Sequence, residues 1–228
     1  LATLDDLTSG IITTTLVTGA VASFGAMTDD NGNNAVTVNI NGSGSIAATL
    51  LSAIGGKTSG VVTATTVITI TGSQAQLTAA LVTDATKVIA GAAVIGTITD
   101  AGGQTLTAAA LSAIGAKTSG AVTVTSAIVV TGTVAEVTAA LVTASTKVVA
   151  ASATSTISDA TSVAEANAID AVTTGAITAT LDAGTIASFS GVTGTGNIYT
   201  ITVSDVATVT QANTLDAKTT GVITATLT

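Results

Sequence analysis

Apolar and hydroxyl-bearing residues alternate along much of this chain. In TTGAITATL (173–181), Ile177, Ala179 and Leu181 share one side and Thr178 and Thr180 the other. Period two with β-branched residues predicts a half-buried strand. The same phrase recurs as TSGIITTTL (8–16), TSGVVTATT (58–66) and TTGVITATLT (219–228). A second short strand is predicted after each, in VITITG (67–72), IVVTG (128–132) and ITVSD (201–205). The period then changes to that of a helix. Ser73-x-x-Gln76, Thr133-x-x-Glu136, Ser162-x-x-Glu165 and Thr208-x-x-Gln211 each fit a capping box. Ala-rich stretches such as AEVTAALV follow, about three turns long, too short to persist alone in water. Gly55, Gly56 and Gly115 fall where these helices would be capped at their C-terminal ends.

The elements repeat. Lys57, Lys87, Lys117 and Lys147 are thirty residues apart, as are Leu51, Leu81, Leu111 and Leu141. LLSAIGGKTSGVVTAT (50–65) returns as ALSAIGAKTSGAVTVT (110–125), so two thirty-residue flavours alternate in a sixty-residue pair. A longer period of 165 residues relates Gly10 to Gly175, Gly19 to Gly184 and Phe24 to Phe189. One continuous array over 1–228 is expected. Its long repeats cover about 4–50 and 169–214. Short ones cover about 51–80, 81–110, 111–140 and 141–168, and a partial one 215–228. Each repeat reads strand, turn, strand, short helix. A segment that small cannot bury its own apolar face, so neighbours must stack. The expected fold is an α/β solenoid with like strands paired in parallel; the alternative is an all-β solenoid. The extra residues of the long repeats, TDDNGNN (28–34) and GVTGTGN (191–197), are expected to form protruding hairpins.

Composition removes several classes of function. Among 228 residues there is no Pro, Cys, Trp or His, and the basic residues are five lysines against thirteen acids, a net charge of -8. Nucleic-acid binding needs a basic footprint that is missing here. Mean hydropathy is +0.74, yet apolar runs such as VIAGAAVIG (88–96) are far short of the ~20 residues of a membrane span. Membrane insertion is not expected. Without His or Cys, the common nucleophile–base pairs and soft-metal sites lack their parts. No catalytic residue is assigned and the chain is read as a non-enzyme. The first residue is Leu, which fits a processed product or a fragment.

Some candidate chemistry remains. TDDNGNN has the oxygen-rich character of a calcium loop, so Asp29, Asp30, Asn31 and Asn33 are the candidate calcium ligands. No other cofactor is expected. GVTGTGN lacks the lysine and helix start of a phosphate loop. The lysines are read as companions of helix C-termini. The pairs Thr13/Thr15, Thr63/Thr65, Thr123/Thr125, Thr178/Thr180 and Thr224/Thr226 form ranks that resemble those of ice-binding solenoids. Intervening segments such as AASAT (150–154) are expected to interrupt them.

AIDAVTTGAITATL (168–181) and NTLDAKTTGVITATLT (213–228) resemble the Thr/Ala/Gly-rich tandem repeats of giant secreted bacterial surface proteins. These include calcium-repeat (RTX-like) adhesins and the motility proteins of cyanobacteria. The resemblance covers nearly the whole chain. It implies secretion, a place at the cell surface, and a role as stalk, sheath or adhesin. The Gly/Asp-rich calcium nonapeptide of RTX proteins is absent. The expected function is therefore a structural segment of an extracellular filament, sheath or giant surface protein. Its partners would be adjacent repeats or further copies of itself. The alternative is an adhesin or ice-binding module that uses the Thr ranks.

Overall fold

The computed structural model describes residues 11–15, 24, 34–41, 44–64, 66, 68–86, 88–91, 94–146 and 148–228. The chain divides into two compact units. The first holds 1–100 and 113–125, the second 101–112 and 126–228. Among the described residues, strands form three sheets, and the strand pairs run parallel. Six α-helices accompany them among the described residues, where no sheet closes into a barrel.

In the first unit, β1 (Thr13–Thr15), β2 (Ala35–Ile40), β4 (Val62–Ala64) and β6 (Ile89–Ala90) lie side by side. A second sheet holds β3 (Gly44–Ala47), β5 (Ile68–Gly72), β7 (Ile95–Ile98) and β9 (Val122–Val124). Helix α1 (Ala48–Gly55) packs on α2 (Gln74–Leu81). The alternation seen in the sequence sets the burial: in β2, Val36, Val38 and Ile40 are fully buried and the residues between them half-exposed. On α2 the buried Leu77, Ala80 and Leu81 follow the helical spacing i, i+3, i+4. Burying each such leucine or isoleucine stabilises the fold by about 1.5–3 kcal/mol.

The second unit is one sheet of six strands, in the order β8 (Thr105–Thr107), β10 (Val129–Gly132), β12 (Thr154–Thr161), β13 (Ile177–Leu181), β14 (Ile198–Ala207) and β15 (Ile223–Leu227). Helix α4 (Val134–Leu141) packs on β10, β12 and α5 (Val163–Asp170), α5 packs on β13, and α6 (Val209–Asp216) packs on β15. Helix α3 (Ala108–Gly115) and the short β11 (Val148–Val149) complete the elements.

All four capping boxes are present. Ser73, Thr133, Ser162 and Thr208 accept from the backbone N–H three residues on, and the side chains of Gln76, Glu136, Glu165 and Gln211 return the bond. Two expectations need correction. First, α1 to α4 begin at residues 48, 74, 108 and 134, so helix spacing alternates between 26 and 34. Residues 99–104 insert a turn ahead of β8, and Gly103 takes φ +78 there. Paired strand residues are 20 to 26 positions apart, as in Thr178↔Ile198 and Thr63↔Ile89, and never thirty. Second, the extra segment of the second long repeat is no hairpin. It runs as an irregular loop over 192–197, after a 3-10 turn, Ser188–Gly191, whose Phe189 is buried against α5. Asn167 of α5 fastens it, donating to the Gly191 carbonyl at 2.8 Å and accepting from the Thr193 N–H at 3.0 Å. Gly56 caps α1 as its position predicts, in a right-handed conformation with φ -71; at Gly55 a Cβ would strike the Thr86 carbonyl.

Candidate functional site

The recurring Thr-x-Gly that precedes β4, β13 and β15 fastens each of these strands to its neighbour. The Thr58 hydroxyl lies 2.9 and 2.8 Å from the carbonyl oxygens of Asn34 and Val36. It accepts from the N–H groups of Val36 (2.8 Å) and Gly60 (2.9 Å). Thr219 repeats the arrangement. It lies 3.2 and 3.0 Å from the carbonyls of Asn197 and Tyr199 and accepts from Tyr199 N–H (2.7 Å) and Gly221 N–H (2.9 Å). Buried Thr173 donates to Ala153 and accepts from Gly175 N–H at 3.2 Å. Thr118 differs, because its hydroxyl bonds within its own turn, to the Gly120 carbonyl at 3.1 Å. The glycine is required by proximity. A Cβ at Gly60, Gly175 or Gly221 would run into the backbone of Val36, Ala153 or Tyr199.

Two buried asparagines act in the same way. Asn34 Oδ1 accepts from Ile12 N–H at 2.9 Å, and Asn197 Oδ1 from Ile177 N–H at 2.8 Å. Asn197 Nδ2 also donates to Asp170 at 2.8 Å. Four strand starts, Ile12, Val36, Ile177 and Tyr199, thus give their N–H to a side-chain oxygen of the following strand segment. Carboxylates add a second set of fasteners. Asp100 accepts from Gln74 N–H at the start of α2 (2.6 Å) and Asp159 from Val134 N–H at the start of α4 (2.7 Å). A negative charge at a helix N-terminus is favourable.

Strand β15 stands last in the sheet order among the described residues. Ile201 N–H donates to the Val222 carbonyl, so in a parallel ladder the N–H and C=O of Ile223 face the other, open edge. Val222 and Leu227 are exposed there. Nearby, α6 and the 3-10 turn enclose a cleft of about 280 Å³, lined among others by Ile186, Phe189, Leu215 and Lys218. Buried Tyr199 has a hydroxyl without a hydrogen-bond partner. Burial, and after it the charge of Asp170, pushes its pKa up to about 12.

The candidate calcium ligands Asp29, Asp30, Asn31 and Asn33 lie outside the described residues. Among the described residues, no group of three or more acidic side chains could hold a metal ion. Lys87 and Lys147 are also outside them. Lys218 does not serve its own helix end: its Nζ donates to the Val192 carbonyl in the loop after the 3-10 turn, at 3.1 Å. The Thr ranks of the second unit are interrupted, with Ile198 opposite Thr178, Ala160 opposite Thr180 and Val206 opposite Thr226. Exposed threonines meet across β12 to β15 as Thr156↔Thr178, Thr180↔Thr200 and Thr202↔Thr224. The break at AASAT falls just before β12 begins at Thr154.

The clamping threonines and asparagines were the residues that pattern reading missed, because it weighed Thr only as a strand-surface residue. The signal was available: Thr stands two before Gly at 8, 58, 118, 173 and 219. No protein-family model matches the chain, and neither a curated protein nor a solved structure matches it.

Proposed function

We propose that this chain is a structural repeat segment of an extracellular filament, sheath or giant cell-surface protein, folded as an α/β solenoid and self-associating through stacked repeats. One observation carries the reading. The Thr-x-Gly clamp recurs at Thr58, Thr173 and Thr219 and each time ties one strand segment to the one before it. Such a device extends by repetition. Each added segment contributes parallel ladder bonds, one buried side-chain fastener and a small apolar layer, and contacts only its neighbours. The acidic, cysteine-free composition supports an extracellular setting. Among the described residues no helix is long and apolar enough to cross a membrane.

Electron microscopy of the purified chain tests this. Long fibres with a fine axial repeat are expected, and isolated compact particles at every concentration would refute it.

A second reading has its own observation, the exposed threonines that meet across β12 to β15. In that reading the face binds an ordered surface such as ice. Replacing Thr178 and Thr180 with Val would abolish thermal hysteresis if it does, and would leave fibre assembly intact if the structural reading holds.

A further inference from the structure

We propose that the cleft between the 3-10 turn and α6 is a binding site for one acidic sugar, a hexuronate whose carboxylate meets Lys218. The site lies within a single chain, so it stands or falls apart from the filament reading.

The cleft has a structural cause. Helix α4 packs on α5, and α5 packs on the 3-10 turn Ser188–Gly191. The turn has four residues where the helices have eight, and it does not fill the space up to α6. A cleft of about 280 Å³ is left between them. That is close to the lower end of the range for small-molecule sites, room for one small ligand. Buried Phe189 and Leu215 supply its apolar wall.

The sequence of α6 is fitted to a wet cleft. Residues 162–181 and 208–227 correspond position by position, so that Ser162, Thr173 and Ile177 recur as Thr208, Thr219 and Ile223. On α6 the cleft is lined by Thr210, Thr214 and, just past the helix end, Lys218. The same positions on α5, which packs on a neighbouring helix, are Ala164, Ala168 and Val172. Small or apolar residues have thus given way to two hydroxyls and an ammonium where the neighbour stands off.

The free valences of these groups define the ligand. Lys218 Nζ spends one N–H on the Val192 carbonyl at 3.1 Å and keeps two. No acidic residue lines the cleft, so this charge invites an anion. Gln211 Oε1 is held by the Thr208 N–H at 2.9 Å, which leaves the amide nitrogen to donate. The Thr214 hydroxyl donates to the Thr210 carbonyl at 2.9 Å and still accepts. One cation, several uncharged donors and acceptors and an apolar wall suit a molecule with one carboxylate, several hydroxyls and a C–H face. A hexuronate has all three, and its carboxylate would take charge-assisted bonds from Lys218.

Amide chemical shifts of the whole chain, titrated with D-glucuronate, test this. Saturable shifts confined to 186–190 and 210–218 are expected, with a dissociation constant of about 1 mM for so small a ligand. The methyl ester and acetate should each bind at least about tenfold more weakly. Lys218→Gln should weaken glucuronate by a similar factor and leave the methyl ester unchanged. Thr214→Phe, which fills the cleft from an exposed position, should abolish the shifts in a chain whose circular dichroism is that of the parent. A glucuronate trisaccharide that binds at least as tightly would mark a polysaccharide as the source of the ligand, and its exclusion would mark the free sugar. Shifts scattered over the chain, an equal response to acetate, or undiminished binding by Thr214→Phe overturns the proposal.

Discussion

Strands β13 and β15 share the sequence ITATL and differ in everything around it. Leu181 is 2% exposed and Leu227 51%. Local sequence is the same, so propensity and pattern cannot account for the difference. It comes from the neighbours: β13 lies between β12 and β14, while β15 has β14 alone. Burial in this fold is conferred by the adjacent repeat. A helix of eight residues and a strand of five have little stability apart from that adjacency.

The largest effect should come from breaking the comparison at its apolar end. Leu181→Ala should cost about 2–5 kcal/mol. Leu227→Ala should stay within about 0.5 kcal/mol in dilute solution. Urea denaturation of both variants measures the gap, and equal losses would mean that the two strands are equally packed.

Tyr199 offers a second contrast, between folded and unfolded chain. It is the only tyrosine and there is no tryptophan, so tyrosinate absorbance reports it alone. Its pKa is raised from 10.0 to about 12. A raised pKa favours the neutral form in the folded state. The corresponding stability is complete below pH 10 and is lost as pH climbs towards 12. Alkaline titration should show ionisation near 12 with unfolding close behind, and ionisation near 10 in a still-folded chain would contradict the burial.

Next in size is the clamp. Thr219→Val keeps the shape and removes the hydroxyl that receives Tyr199 N–H, leaving a buried donor unpaired. A loss of about 1–3 kcal/mol is expected. Thr226→Val, on the exposed side of β15, should fall within about 0.5 kcal/mol. Thermal unfolding of the pair sharpens the distinction between fastening and surface threonines.

The smallest effects concern the helix starts. Ser162→Ala should cost about 1 kcal/mol through loss of the α5 cap. Hydrogen bonds from the Ser162 side chain and backbone hold the Glu165 carboxyl below its ordinary pKa. A depressed pKa contributes stability above the unfolded value and loses it as pH falls through the folded one. Mild acid should therefore destabilise the parent slightly and Glu165→Gln less, a difference that acid titration followed by circular dichroism can resolve.

Much of this organisation is legible in the chain. The capping boxes locate α2, α4, α5 and α6 because the N-cap hydroxyl and its partner are three residues apart wherever they occur. Strand alternation names the buried residues of β13 correctly. The register was not legible, because it depends on the turn at 99–104 and on close approaches that only Gly60, Gly175 and Gly221 permit. Nor was the fate of GVTGTGN: its glycines read as a loop tip, but Phe189 just before it is drawn into the core and Asn167 pins the segment down. The clamp escaped notice because its threonines look like the surface threonines around them. Their role appears only once the neighbouring strand is in place.

Amide hydrogen exchange at two residues tests most directly the claim that each strand is completed by the one after it. In dilute solution the Ile177 N–H, held by Asn197, should be strongly protected, and the Ile223 N–H should exchange close to the rate of an unstructured amide. Raising the concentration should protect Ile223 and leave Ile177 unchanged. Equal protection of the two amides in dilute solution would contradict the account.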